Sequence, residues 1–275
     1  MQKVTHSEYI AQKKPLAKQL LAKLNEKYQY ASVLITDNYE KGYRASRSGV
    51  AISATNAFGG KGMIVKVYDG KGYAEYSTNE ITAENLPEIE REIEQQLMNP
   101  ANFIPEGTEE AEYKCISDEP CTLCEATNYE IHPREVGDEK LIETVTALRE
   151  KAVKADERIL DAITGFNYQE YHKLFLSANR ELEQSVLYST GIMALVAAKG
   201  EEIKQSFRGF SNLGGAELLD KMESAIPQCV KTVTDLLNAE PMEPGTYECI
   251  CTPEVTGMIV HEAFGHGVEM DMFVK

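Results

Sequence analysis

The feature that most constrains the fold of this chain is the shortness of the connections between its β-rich runs. Residues 32–36, 50–54 and 63–68 form three such runs in the first third of the chain. Turn-forming clusters separate them, at Asp37-Asn38, at 59–62 and at 69–72. Connecting turns of about two to six residues are too short for parallel crossovers, so the strands are predicted to pair antiparallel.

Segments with helical periodicity flank these strands. Residues 8–27 carry a leucine stripe, and residues 83–98 repeat apolar side chains at spacings of three and four. The same order returns after Leu141. A helical seam through Ile159 and Ala162 precedes β-rich runs at 168–177, 185–188, 192–198 and 203–207, with hairpin signals at Asn179-Arg180 and at 199–201. A helix then opens at Gly214-Gly215.

The predicted class is therefore α+β, with antiparallel sheets flanked by helices and the order helix, strands, helix occurring twice. An old duplication explains this order, and so does the ordinary alternation of α+β proteins; both interpretations stay open. The predicted organisation is an N-terminal α+β domain at 1–98, a connector rich in proline and cysteine at 99–137, a second α+β region at 138–238, and the start of a C-terminal domain at 239–275.

Composition excludes several function classes. With 28 Lys+Arg against 44 Asp+Glu, the formal net charge is −16, which disfavours binding to a phosphate backbone. The longest apolar run, 192–198, is far shorter than a membrane-spanning helix. The N-terminus lacks the apolar core of a secretory signal, and six unevenly placed cysteines do not form a disulfide framework. The expectation is a cytoplasmic protein that binds neither nucleic acid nor membrane.

The candidate site lies close to the C-terminus. Residues 246–251 alternate as in a strand, Thr252 is a predicted N-cap, and Pro253 suits the first position of a helix. That helix leads into His261-Glu262-Ala263-Phe264-Gly265-His266. In zinc hydrolases two neutral imidazoles hold the metal, and a neighbouring carboxylate takes a proton from the metal-bound water.

The spacing of the two histidines is one residue longer than in the usual His-Glu-x-x-His pattern. In an ideal α-helix, side chains five residues apart point roughly 140° away from each other, so they cannot bind one ion. The helix is therefore expected either to widen into a π turn or to break before His266. Gly265 and Gly267, on either side of His266, relax the backbone there.

The sequence at 261–271, His-Glu-Ala-Phe-Gly-His-Gly-Val-Glu-Met-Asp, resembles the His-Glu-Ala-x-Gly-His-x-x-Glu-x-Asp core of the TldD/PmbA proteins, a family of zinc metallopeptidases also called modulators of DNA gyrase. Residues 62–70 and 72–79 are similar to the N-terminal region of that family. The histidines are typical of the TldD-like half and are absent from the PmbA-like half. The resemblance implies that His261 and His266 are zinc ligands and that Glu262 is the catalytic acid/base, while Glu269 orients a ligand histidine.

This chain departs from the family in one respect. TldD-like proteins resemble each other over a much longer sequence, and their third zinc ligand is a cysteine far downstream of the motif. Here the sequence ends at Lys275, so the resemblance implies a fragment or a truncated reading frame that lacks the third ligand. It also implies assembly into a homo-oligomer, or into a hetero-oligomer with a PmbA-like paralogue.

Weaker signals leave alternatives open. Cys115, Cys121, Cys124 and His132 could form a structural zinc site, although free thiols are the more ordinary interpretation. Cys249 and Cys251 are expected to be small buried residues, with a substitute third ligand as the alternative. His6 and His172 have no evident partner and receive no role. A zinc-dependent peptidase acting on peptides or unfolded segments therefore stands against a non-catalytic partner subunit or peptide-binding scaffold with a vestigial site.

Overall fold

Long antiparallel strands dominate the computed structural model, which describes residues 1–54, 60–98, 115–269 and Met272. The predicted fold class is confirmed: antiparallel strands form a sheet flanked by helices. The described strands are β1 Gln2–Lys3, β2 Tyr30–Ser46, β3 Gly49–Ala54, β4 Gly62–Tyr68, β5 Tyr73–Thr78, β6 Cys121–Ala126, β7 Asn128–Tyr129, β8 Ile159–Ser177, β9 Arg180–Lys199 and β10 Glu202–Leu213. The described α-helices are α1 Glu8–Lys27, α2 Leu86–Met98, α3 Pro133–Val136, α4 Asp138–Lys154, α5 Leu218–Ser224, α6 Ile226–Leu236 and α7 Pro253–Val260.

The main sheet has the strand order β10-β9-β8-β2-β4-β5. Strand β3 pairs with the end of β2 that β4 leaves free, so β3 and β4 follow one another along the same edge of β2. All these pairings are antiparallel. Strand β6 adds a parallel pairing to the start of β9, and β1 pairs with β7 in a small separate sheet.

The repeated order of elements appears within this one sheet. The central strands β2 and β8 pair from Ser32↔Ser177 to Ala45↔Thr164. In the first half, helix α1 is followed by strands β2, β3, β4 and β5 and then by helix α2. In the second half, helix α4 is followed by strands β8, β9 and β10 and then by helices α5 and α6. The two halves of the sheet thus share the order helix, strands, helix, with four strands in the first half and three in the second, and they meet at the β2–β8 pair.

One face of the sheet holds the helices and the buried apolar side chains, because side chains of a strand alternate between faces. Two clusters form there. The first packs α1 and α2 on β4 and on the paired ends of β2 and β8, with Leu20, Val33, Ile35, Val65 and Leu174 among its members. The second packs α4, α5 and α6 on the other ends of those strands, with Tyr43, Leu148, Phe166, Met193 and Met222.

The predicted turn at Asp37-Asn38 was wrong, because both residues lie inside β2. Strand β8 pairs with this segment on one side, with Asp37 opposite His172. On the other side Asn38 and Gly60 exchange two backbone hydrogen bonds of 3.2 and 3.1 Å. Pairing on both edges outweighs the turn preference of the Asp-Asn dipeptide.

The predicted helical seam through Ile159 and Ala162 was also wrong beyond Lys154. Asp156 accepts hydrogen bonds from the backbone and side chain of Arg158, which turns the chain after α4. Strand β8 then begins at Ile159, and both seam residues are buried from that strand instead. A stretch of apolar residues at mixed spacings is compatible with a helix or a strand. Pairing with the neighbouring strands therefore determines that this stretch is a strand.

Other segments differ in extent. The β-rich runs between 168 and 207 belong to three long strands, β8, β9 and β10. The helix after Gly215 divides at Ala225, where Pro227 lies in the first turn of α6. The predicted connector contains β6, β7 and α3, and its residues 99–114 lie outside the described part. No strand is described at 246–251, contrary to the alternating pattern there.

The described chain divides into two compact units, one containing the residues up to Ala239 and one beginning at Glu240. The predicted boundaries at 98 and 137 therefore fall within the first unit. Within the described residues, no helix combines the length and apolar character that crossing a bilayer requires.

Candidate metal centre

The motif lies at the end of a short helix whose start follows from its sequence. Pro253 occupies the first turn of α7, and the Thr252 carbonyl accepts the Thr256 N–H at 2.9 Å. Thr252 is the N-cap residue, as predicted, but its side chain makes no capping hydrogen bond. Instead, the backbone N–H of Glu254 and the Thr252 hydroxyl hold the pKa of the Glu254 carboxyl below its usual range. Glu254 is therefore ionised at the positive end of the helix.

The backbone widens directly after α7. Residues His261–Gly265 form a π turn, in which the His266 N–H donates to the His261 carbonyl five residues back. A 3₁₀ turn, His266–Val268, follows. Of the two outcomes predicted from the spacing, the structure thus shows the wider turn.

The π turn brings the motif side chains together. One potential ligand atom from each of His261, Glu262 and His266 lies within 4.8 Å of the other two. The imidazole centroids of His261 and His266 are 4.6 Å apart, with the rings 75° from parallel. Glu262 Oε2 is 3.8 Å from His266 Nε2.

Glu269 contacts the second histidine from the far side. Its Oε1 lies 2.7 Å from His266 Nδ1, a hydrogen-bonding distance. Such a contact fixes which ring nitrogen carries the proton and leaves Nε2 free as a ligand. Met270 and Asp271, the remaining motif positions, lie outside the described residues.

The donor set fits a metal ion. Two imidazole nitrogens and a carboxylate oxygen are the ligand types that zinc and similar divalent ions prefer in hydrolytic sites. All three side chains are exposed to solvent. In the part of the chain that the structure describes, no other three His, Cys, Asp or Glu side chains bring their ligand atoms together in this way.

The predicted alternative of a cysteine-rich zinc site is not assembled in the described residues. Cys121 and Cys124 are three residues apart on β6, so they point to opposite faces of the strand. The Cys124 thiol lies 3.4 Å from His6 Nε2 instead. His132 caps α3, with its Nδ1 accepting the Arg134 N–H at 3.2 Å.

The expectation that Cys249 and Cys251 are buried was wrong. Both are exposed and outside any described strand. The Cys249 thiol donates to the Tyr247 carbonyl at 3.7 Å. Neither cysteine belongs to the group formed by the histidines and Glu262.

Sequence reasoning also missed the partners of His6 and His172. Each places its Nδ1 2.9 Å from the hydroxyl of Ser185, which is buried. The predicted hairpin at Asn179-Arg180 is one residue too late, because the observed turn lies at Ala178-Asn179, between β8 and β9. The register that continues from the observed turn places His172 directly opposite Ser185.

Comparison with known proteins gives relatives of one kind. A metalloprotease from Archaeoglobus fulgidus is 32% identical over 95 residues, which are 34% of this chain and 22% of that protein. A metalloprotease from Methanocaldococcus jannaschii is 20% identical over 260 residues, 93% of this chain and 55% of that protein. The chain thus spans about half the length of the relative that it matches throughout. No family model matches the chain.

Solved structures share the fold. A protein described as a modulator of DNA gyrase from Bacteroides thetaiotaomicron superposes with a TM-score of 0.66 at 15% identity, covering 92% of this chain and 56% of that one. A second, from Thermotoga maritima, has a TM-score of 0.65 at 14% identity and covers 84% and 50%. TldE from Thermococcus kodakarensis has a TM-score of 0.58 at 13% identity and covers 80% and 47%. The resemblance predicted from the motif is confirmed at the level of the fold.

Proposed function

We propose that this chain is part of a zinc-dependent peptidase of the TldD type, acting on peptides or unfolded protein segments. The observation that supports the proposal most directly is the π turn, which gathers His261, Glu262 and His266 within 4.8 Å. A π turn is an unfavourable local conformation that occurs frequently at functional sites. The relatives named metalloproteases agree with this chemistry.

The proposed roles follow from the donor types. His261 and His266 hold the ion through neutral imidazoles, and Glu269 orients the ring of His266 at 2.7 Å. Bound zinc lowers the pKa of a water molecule and polarises a carbonyl group. Glu262 is the general base: its carboxylate accepts the proton from the attacking water and returns it to the leaving amine.

Two histidines supply only half of a tetrahedral ligand shell, and a catalytic zinc site needs three protein ligands and a water. Among the described residues, no cysteine thiolate joins the group formed by His261, Glu262 and His266. We therefore expect this chain alone to bind zinc weakly and to hydrolyse peptides poorly, since losing a thiolate lowers zinc affinity by several orders of magnitude.

Calorimetric titration with zinc tests this expectation together with a peptide-cleavage assay. His266→Ala should abolish the weak binding, and Glu262→Gln should abolish residual cleavage while zinc binding persists. Glu254→Gln, on the same helix but outside the group, is the matched control. Sub-nanomolar affinity with Glu262-dependent cleavage would contradict the incomplete site and would indicate that Cys249 or Cys251 completes it.

The second candidate function is a non-catalytic partner subunit or peptide-binding scaffold. The solvent exposure of all three motif side chains favours it, because catalytic metal sites usually lie in sheltered cavities. Metal content of the chain in the presence of excess zinc, measured by native mass spectrometry, separates the two. Bound zinc that is lost in His266→Ala supports the peptidase, and metal-free protein supports the scaffold.

A further inference from the structure

A polar cavity of about 790 Å³ opens on the helix-bearing side of the first unit. It lies over the middle of the central strand pair, where Asp37 is opposite His172 and Tyr39 is opposite Glu170. On either side of this polar row, the same face of β2 and β8 carries the two apolar clusters. Burying polar groups between two hydrophobic cores costs free energy unless partners satisfy them, so this row requires an explanation.

The deepest part of the cavity wall consists of hydrogen-bond acceptors. The Glu170 side chain is only 8% exposed, yet no described residue donates a hydrogen bond to its Oε1. Arg134 Nε lies 2.8 Å from this oxygen without directing its N–H at it, and His132 Nε2 is 3.5 Å away. Buried carboxylate oxygens are normally satisfied, so Oε1 has capacity for a donor from a ligand.

The neighbouring carboxylate is also sheltered. The Asp37 side chain is 18% exposed and accepts the Ser7 hydroxyl at 2.6 Å. On the other flank His172 places Nε2 3.6 Å from Glu170 Oε2 and is held from behind by Ser185. Burial alone would raise the pKa of Glu170, but the hydrogen bond from His172 and the charges of Arg134 and His132 outweigh it and hold the pKa below its ordinary value. Glu170 is therefore an anion at neutral pH.

The cations of the cavity lie further out. The Lys61 and Arg134 side chains are about half exposed, at 49% and 51%. Lys61 Nζ lies 5.1 Å from the centroid of the Tyr9 ring, and the Arg134 guanidinium lies 4.3 Å from that of Tyr39. The tyrosine rings hold both cations at the rim through cation–π contacts. Each cation also contacts an inner carboxylate, with Arg134 Nε 2.8 Å from Glu170 Oε1 and Lys61 Nζ 3.7 Å from Asp37 Oδ1, and its exposed part faces the rim of the cavity.

We propose that this cavity binds a small zwitterionic amino compound, an α-amino acid or a short peptide. Its protonated amine donates to Glu170 Oε1, and its carboxylate is directed to Lys61 and Arg134 at the rim. An ammonium group has three donors and carries the charge that complements a buried carboxylate. The volume is in the range of sites that enclose small molecules. This proposal does not rest on the proposed metal centre, because every described residue that lines the cavity precedes Glu240.

Calorimetric titration of the whole chain with L-alanyl-L-alanine tests the proposal. EDTA in the buffer prevents the histidines of the motif from binding the dipeptide through a metal, so failure here is distinct from failure of the proposed peptidase. Ethylamine and acetate serve as probes of the separate charges. The dipeptide should bind, and each of the two half-ligands should bind roughly tenfold more weakly or less.

Two variants and a control locate the binding. Glu170→Gln keeps the shape of the side chain and should weaken dipeptide binding roughly tenfold or more. Lys61→Met changes a half-exposed rim residue that does not support the core, so it remains informative even if the first variant fails to fold; it should weaken the dipeptide but not ethylamine. Glu202→Gln on the edge strand β10 should bind as the unchanged chain does.

Three results would overturn the proposal. The first is no heat of binding for the dipeptide at about 10 mM, far above the concentrations at which specific small ligands bind. The second is equal dipeptide affinity in the unchanged chain, in folded Glu170→Gln and in Lys61→Met. The third is ethylamine binding as tightly as the dipeptide, which would leave the cationic rim without a role.

Discussion

At the scale of single residues, the cavity in the first unit depends on one buried hydroxyl. Ser185 is 1% exposed, and its oxygen lies between the Nδ1 atoms of His6 and His172. A hydroxyl can donate to one ring and accept from the other, so it pairs both at once. Through His172 the same hydroxyl determines how the ring is presented to Glu170.

Ser185→Ala should therefore lower the free energy of unfolding by about 1–3 kcal/mol, because it leaves a buried imidazole nitrogen without a partner. Ser211→Ala is the matched control, since Ser211 is exposed on the edge strand and should tolerate the change. Urea unfolding of both variants measures the difference. Equal stability of the two variants would show that the hydroxyl contributes nothing.

Glu170 should make the stability of the chain sensitive to acid. Its pKa in the folded state is below the ordinary value of about 4.3, so the ionised form stabilises the fold above that pH. This contribution is lost as the pH falls through the folded pKa. Urea midpoints measured from pH 7 to pH 3 should decline more steeply for the unchanged chain than for Glu170→Gln. Parallel curves would contradict the assignment.

At the scale of elements, the π turn is a response to spacing. Its hydrogen bond from His266 to the His261 carbonyl spans the five residues that separate the two rings. An α-helix would place those side chains roughly 140° apart. The geometry of the group therefore depends on the number of residues in the turn more than on their identity.

Changing that number tests the dependence. Deleting Ala263 restores the usual His-Glu-x-x-His spacing, so the rings share one face of an α-helix and zinc affinity should stay within roughly tenfold. Inserting one alanine after Ala263 makes the spacing six residues. This spacing places the rings roughly 120° apart in an α-helix and exceeds the five residues that the π turn spans, so detectable binding should be lost. Calorimetric titration compares them, with circular dichroism as the control for helix content. Unchanged affinity on insertion would refute the argument.

A second element depends on close backbone packing. At Gly215, a Cβ atom would overlap the carbonyl oxygen of Ile131, which accepts the Ala216 N–H at 2.8 Å. Because that obstacle is backbone, it cannot move aside as a flexible side chain would. Gly215→Ala should therefore cost about 2 kcal/mol of unfolding free energy. Gly209→Ala, where the added Cβ would meet no atom within 4 Å, should be tolerated. Denaturant unfolding of both variants measures the difference in their unfolding free energy, and equal values would contradict the close packing at Gly215.

At the scale of the whole molecule, the second unit exposes apolar side chains on its helix. Val255, Met258 and Ile259 are 50%, 60% and 53% exposed. Neighbouring exposed apolar residues are typical of an interaction surface. The occupant that we propose is a second copy of this chain; a PmbA-like paralogue is the other partner that the family resemblance implies.

Sedimentation at tens of micromolar should accordingly show self-association. Met258→Ser with Ile259→Ser should weaken it, because the change removes apolar area from the helix. Ile203→Ser, at a residue 64% exposed on β10, is the control and should leave association unchanged. A clean monomer at that concentration would count against the proposal.

The sequence alone determined what local physics decides. Short turns predicted antiparallel pairing, and helical periodicity located α1, α2 and α4. The spacing from His261 to His266 predicted either a widened turn or a break, and the structure has the widened turn. Each conclusion follows from residues close in sequence, where chain geometry leaves few options. The ends of the strands could not be predicted as well. Asp37 and Asn38, for example, belong to β2 because β8 pairs with this segment on one side and Gly60 bonds to Asn38 on the other.

Only the tertiary structure decided the polar cavity. Its described residues come from the segment before α1, from α1, β2, α3 and β8, and from Lys61 before β4, and the most distant of them are separated by more than half of the sequence. His6 and His172 appear isolated in the sequence. The register of β8 with β9 brings His172 to Ser185, and the packing of the segment before α1 brings His6 to the same hydroxyl. Long-range pairing of this kind depends on the packing of the whole sheet, and no local pattern of residues encodes it.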